Sequence, residues 1–102
     1  MNRGEIWWAA SPGGKRRPYL VLTRQAAIGR LHSVLAVPAT TTVRQIPTEV
    51  GLNRADGMPS PCALSFDNLT LMPKSLLTER ITRLSLARME DVCRAVRVAT
   101  GC

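Results

Sequence analysis

Three consecutive cations, Lys15, Arg16 and Arg17, run through Pro18 into the apolar stretch Tyr19-Leu20-Val21-Leu22. Pro18 fixes its own φ and biases Arg17 towards extended backbone, so the Arg17 guanidinium is held at a strand entrance rather than on a free loop. Five donors and a charge that survives any physiological pH suit such a group to a phosphate. The competing reading of a basic run is a solvated face. Downstream, Thr40-Thr41-Thr42 sets hydroxyls at a strand end, where β propensity explains threonine equally well. Asp67-Asn68 follows an apolar run; such a pair makes a turn, or offers its carboxylate as a base.

Other chemistries are poorly supplied. A metal centre needs several converging His, Cys or carboxylate ligands, and the chain has one histidine and three scattered cysteines, Cys62, Cys93 and Cys102. An odd number of cysteines without a close pair signals no disulfide framework. A serine nucleophile would need a neighbouring base, yet the only imidazole is His32, in an expected loop, and no Gly-x-Ser-x-Gly occurs. Phosphate-cradling glycine motifs are absent too. Arginine, threonine and isolated acids remain, and that set can still cleave RNA. The ribose 2′-OH is a nucleophile tethered beside its phosphate, so the protein has only to assist its deprotonation, steady the charge on phosphorus and help the leaving oxygen.

The elements that must position these groups follow from composition and pattern. The 102 residues, 45% hydrophobic and 21% charged, predict one globular domain able to bury about two-thirds of its unfolded surface. Fourteen Lys and Arg against seven Asp and Glu give a formal +7, with +5 on residues 1–50 and +2 on residues 51–102, so an acidic partner is expected on the N-terminal half. No run approaches the ~20 apolar residues of a membrane span and no export signal is visible, which points to a cytoplasmic protein.

Strands are expected over 3–10, 19–23 and 33–38, the last two forming a hairpin, then over 46–50 with Pro47 confining it to an edge. Residues 51–61 read as a long turn, 62–66 as a strand, 69–72 as a further short apolar run, 73–77 as one helical turn and 79–84 as a last strand. Ser85 caps a final amphipathic helix with Leu86, Met89, Val92, Cys93, Val96 and Ala99 on its apolar stripe and Gly101 past its end. That stripe makes Cys93 a core residue, and Glu90 and Arg94 are spaced to pair. The sum is a mainly β fold, a compact antiparallel barrel or sheet with one C-terminal helix.

In order and spacing the chain resembles the MazF/PemK/Kid family of toxin endoribonucleases along nearly its whole length. Arg3-Gly4-Glu5-Ile6-Trp7-Trp8 is similar to the family's opening strand, and Lys15 to Leu22 to its Arg-Pro loop and strand. Val37-Pro38-Ala39-Thr40-Thr41-Thr42 with Ile46-Pro47-Thr48-Glu49-Val50 resembles its Pro-x-Thr-Thr segment and following strand, and Leu64 to Asn68 a strand ending in an acid-amide pair. The resemblance implies an SH3-like barrel of the PemK/CcdB kind spanning residues 1–102 and a homodimer. It also implies metal-independent, sequence-selective cleavage of single-stranded RNA through a 2′,3′-cyclic phosphate, with no cofactor. A MazE-like antitoxin would occupy the RNA groove.

Carried over by position, Arg17 and Thr40 are the catalytic pair and Asp67 the base, with Lys15, Arg16, Thr41, Arg24, Arg44 and Asn68 expected to hold RNA around them. A guanidinium is a poor general base, so Arg17 is assigned to charge stabilisation and Thr40 to a hydrogen bond on a non-bridging oxygen. The chain departs from many members in its first loop, where Ser11-Pro12-Gly13-Gly14 is short and lacks their acid and amide, and a histidine some members use there has no counterpart. Two other readings stand beside this one. Related gyrase-poisoning toxins use the fold on a protein, against which the Arg17–Thr40 pair argues, and a plain RNA-binding module would bind without cutting.

Overall fold

The computed structural model describes residues 1–10 and 14–102. Residues 11–13 of the expected first loop lie outside the described residues. Seven strands and two helices follow one another as β1 (Glu5–Ala10), β2 (Arg16–Val21), α1 (Gln25–Ile28), β3 (Ser33–Thr40), β4 (Glu49–Leu52), β5 (Cys62–Ser65), β6 (Thr70–Pro73), β7 (Leu77–Arg83) and α2 (Leu86–Thr100). All pairings are antiparallel, in the order β4-β5-β3-β2-β1-β7, with β6 also on β3. The mainly β, barrel-like architecture with a C-terminal helix is as expected. Hydrogen bonding does not close the barrel, since β4 and β7 remain at its two ends. The β2–β3 hairpin forms too, its connection containing α1.

The central strands are apolar on both faces because both are covered. Side chains alternate along a strand, and Leu20 of β2 and Leu22 just after it enter one core cluster while Val21 enters the other. In β3, Val37 and Ala39 join the first cluster, Val34 and Ala36 the second. The first cluster is completed by Val92 and Ala95 of α2, together with Val50, Leu52 and Leu64 from β4 and β5. Ile28 of α1, Met72 of β6 and Leu77 of β7 close the second. Strands that read as continuous apolar runs are those buried on two sides, and this pins the hairpin register that positions Arg17 and Thr40.

Several boundaries and one helix face differ from expectation. The strand expected over 46–50 begins at Glu49 and runs to Leu52, because Pro47 offers no N–H and the Glu49 N–H closes a turn onto the Ile46 carbonyl at 2.9 Å. Ser85 caps α2 through the Arg88 N–H, and Gly101 ends it at φ +75°. Its buried face centres on Val92, however, and at 100° per residue Cys93 lies about 100° and Leu86 about 120° from that centre. Cys93 is accordingly only half-buried and Leu86 is 85% exposed, while Ala95, outside the expected stripe, is buried. Arg94 pairs with Asp91 rather than Glu90, in a cluster where Arg88 reaches both Asp91 and Asp56.

Candidate functional site

The register of the hairpin builds the site. Tyr19 pairs with Pro38, Leu20 with Val37 and Val21 with Ala36; beyond that ladder Arg17 pairs with Ala9 of β1 and Thr40 with Ala63 of β5. Arg17 is exposed and, among the described residues, forms no ion pair. The Thr40 hydroxyl oxygen accepts the Thr42 N–H at 3.1 Å, which leaves its own proton to donate. Two clefts flank these strand ends, and Arg17 with Thr40 borders both.

The larger cleft, about 250 Å³, is lined on one side by Trp8, Arg16, Pro18, Ala39 and Thr41. A further part of its wall is Met58, Pro59, Ser60 and Cys62, from the 51–61 turn and the start of β5. That wall is braced. Asn53 and Asp56 cap a 3-10 turn (Arg54–Asp56) reciprocally, and the Arg88 guanidinium donates to both Asp56 carboxylate oxygens at 2.9 and 3.2 Å. Burial alone would raise the Asp56 carboxyl, but the Arg88 donors and the Asn53 N–H outweigh it and hold the group below the usual carboxylate range. Gly57 follows at φ +92°, where a Cβ would come within 2.3 Å of the Thr82 hydroxyl. Burial, and then the Asp56 charge, push the Cys62 thiol up, so it lines the cleft as a neutral group.

The smaller cleft, about 170 Å³, is walled by Pro38, Thr42, Arg44, Ser65 and Asn68 beside Arg17 and Thr40. The Asn68 amide is oriented by donating to Ser65 Oγ at 2.8 Å.

The expected site residues thus fall into groups. Arg17, Thr40, Arg16, Thr41, Arg44 and Asn68 converge on the two clefts. Arg16 is engaged there, its guanidinium 4.9 Å from the Trp8 ring centroid and 2.6 Å from Glu79. Lys15 is exposed immediately before β2. Asp67 lines neither cleft; its carboxylate accepts the Thr48 hydroxyl at 2.6 Å. Arg24 is the residue before α1, beyond the far end of β2 and roughly 20 Å along the chain from Arg17, so it does not join them. His32 likewise sits at the opposite end of β3 from Thr40. Among the described residues no three His, Cys, Asp or Glu gather as metal ligands.

Sequence reasoning did not name Trp8, Met58, Pro59 or Ser60. Trp8 carried a usable signal, an aromatic one strand away from a basic run. The 58–60 wall carried none, because its approach depends on the Asp56–Arg88 contact.

The profile of the family described as PemK-like, MazF-like toxin of type II toxin-antitoxin systems matches residues 2–100. The chain belongs to this toxin family. Among PemK/MazF relatives, it is 44% identical over 103 residues to the probable endoribonuclease MazF2 of Mycobacterium tuberculosis, covering 100% of both chains. It is 40% identical to the probable endoribonuclease MazF5 of the same species, over 98% of this chain and 93% of that one. A mycobacterial endoribonuclease solved in complex with its cognate antitoxin superposes with a TM-score of 0.89 at 27% identity, covering 99% and 95% of the two chains. The Mycobacterium tuberculosis toxin MazF-mt6 superposes at 0.87 with 32% identity, over 95% and 96%. Among the described residues no helix is long and apolar enough to cross a membrane.

Proposed function

We propose that this protein is the toxin of a type II toxin-antitoxin pair and cleaves single-stranded RNA at the Arg17–Thr40 site, without a metal or cofactor. The observation that carries the reading is that Arg17, which forms no ion pair among the described residues, borders the same two clefts as Thr40, in a chain whose relatives are named as endoribonucleases.

The 2′-OH attacks the adjacent phosphorus and the bond to the 5′ oxygen breaks, leaving a 2′,3′-cyclic phosphate and a 5′-hydroxyl. The proton lost by the 2′ oxygen is matched by the one the 5′ oxygen gains. Charge builds on the non-bridging oxygens during attack, and there the Arg17 guanidinium and the Thr40 hydroxyl stabilise it. Asp67 already holds Thr48, so we read it as an anchor of the 41–48 loop rather than as the base. Lys15, Arg44 and Asn68 hold the strand, with Arg16 and Thr41 beside it in the larger cleft.

We read residues 1–102 as one toxin domain acting in the cytoplasm. Its partners are RNA, a MazE-like antitoxin that excludes RNA from the same groove, and a second copy of the chain. The antitoxin complex of a structural neighbour supports the second. Exposed apolar residues support the third, including Leu71 and Leu35, paired across β6 and β3 at 66% and 44% exposure.

The test is cleavage of one long RNA by wild type and Arg17→Ala with EDTA present. Wild type is expected to yield fragments with 5′-hydroxyl ends, and the variant to cut at least about 100-fold more slowly. Equal rates, or dependence on added metal, would overturn the assignment.

A further inference from the structure

The smaller cleft owes two of its walls, Thr42 and Arg44, to the 41–48 loop, whose residues up to 47 are all exposed. An exposed loop with Val43 at 45% and Ile46 at 39% has little burial to fix it. Glu49 supplies what packing does not. Its carboxylate oxygen Oε1 accepts the backbone N–H of Arg44 at 2.9 Å and of Gln45 at 3.1 Å. Its own N–H donates to the Ile46 carbonyl at 2.9 Å. Gln45 is, among the described residues, the one non-glycine at positive φ, +55°, a conformation that a side chain disfavours and that its surroundings must impose. The far end of the loop is tied by Asp67 to the Thr48 hydroxyl and by the Phe66 N–H to the Thr48 carbonyl at 3.0 Å.

We propose that Glu49 is a positioning residue for RNA recognition: it holds the left-handed turn at Gln45 and so keeps Arg44 and Thr42 in the wall of a nucleotide subsite beside the reacting phosphate. This rests on the ribonuclease reading. Glu49 itself lines neither cleft that Arg17 and Thr40 border, so it acts through the loop. Two charge-assisted hydrogen bonds to consecutive backbone amides fix an otherwise mobile ligand set before RNA arrives, which saves ordering entropy at the moment of binding. Losing them therefore weakens binding and loosens base selection, while the Arg17–Thr40 pair, built on the hairpin, keeps its chemistry.

Glu49→Ala and Glu49→Gln are compared with wild type on one long RNA, reading KM, kcat and the cleavage ends, alongside hydrogen exchange of the Arg44 and Gln45 amides. A glutamine carbonyl oxygen can accept the same two N–H groups. The expectation for Glu49→Ala is a KM raised about 10-fold with kcat within about 3-fold, a broader set of cleaved sequences, and faster exchange at both amides. Glu49→Gln should restore most of each. Unchanged amide exchange in Glu49→Ala, an unchanged KM, or a Glu49→Gln as impaired as Glu49→Ala would overturn the proposal. If wild type and Arg17→Ala cut equally, the ribonuclease reading falls instead; the exchange data still decide whether Glu49 holds the loop.

Discussion

Neighbouring arginines of one basic run have different fates, and the difference is one of partners. Arg16 lies over Trp8 and bonds Glu79, so its charge is already partly answered and its planar group braces the wall of the larger cleft. Arg17 borders both clefts together with Thr40 and, among the described residues, has no carboxylate paired to it. Stabilising a developing phosphorane needs a guanidinium free to answer new charge, which Arg17 is and Arg16 is not. Arg16→Ala is therefore expected to slow cleavage by no more than about 10-fold, chiefly through KM, against the 100-fold or more of Arg17→Ala. Comparable losses in single-turnover rate for the two would refute this division. Pro18 and the apolar strand after it made Arg17 legible in the sequence. Arg16 was not, because Glu79 is remote in the chain and reaches it only through the β1–β7 pairing.

At the scale of elements, the β1–β7 seam is fastened by a buried carboxylate. Glu5 in β1 is 6% exposed and accepts from the Asn2 N–H at 2.7 Å, Arg80 Nε of β7 at 2.9 Å and the Trp7 indole at 3.2 Å. Burial would raise its pKa, but these donors, with the Asn2 amide, outweigh it and take the group from its ordinary 4.5 to about 2. A carboxyl whose folded pKa is depressed adds stability above its unfolded pKa, and that stability is lost as pH falls through the folded value. The protein should thus weaken from about pH 4.5 down to about pH 2. Glu5→Gln should be destabilised at pH 7 by about 1–3 kcal/mol, leaving Arg80 short of its acceptor, and should show a flatter acid profile. Urea unfolding of both proteins across that range checks it, and parallel pH profiles would count against the seam. The strand itself was readable from Ile6-Trp7-Trp8; burial of Glu5 was not, since an acid beside a strand start ordinarily faces water.

Over the whole molecule, ion pairing preserves the charge imbalance that composition announces. The C-terminal half answers Arg88 and Arg94 with Asp56 and Asp91, Arg80 takes Glu5 from the N-terminal half, and Arg16 takes Glu79 in exchange. Arg17 and Arg44 keep their charge at the clefts, next to Lys15 on the strand entrance. If Arg17 and Arg44 neutralise RNA phosphates, raising monovalent salt from about 50 to about 200 mM should weaken binding roughly 7-fold. An RNA methylated at its 2′-hydroxyls, which cannot be cut, allows that affinity to be measured directly. Affinity insensitive to salt would mean that the positive field is not what holds the strand.

By itself the sequence determined the mainly β class, the C-terminal helix with its Ser85 cap and Gly101 stop, the β2–β3 hairpin and the family. Each of these is written in local pattern: apolar runs, capping residues, and short motifs in a given order. Tertiary structure alone decided which charged groups are free. Asp67 looked like a base and holds Thr48; Arg24 looked like part of the basic site and stands beyond the far end of β2; Cys93 looked buried and is half exposed. Glu49, unmarked in the sequence, holds the loop beside the clefts. For Asp67 and Glu49 the physical reason is the same. Secondary structure follows from neighbours in the chain, whereas the role of a polar side chain follows from which donor or acceptor lies within about 3 Å of it, and those partners are set by the packing of separate elements.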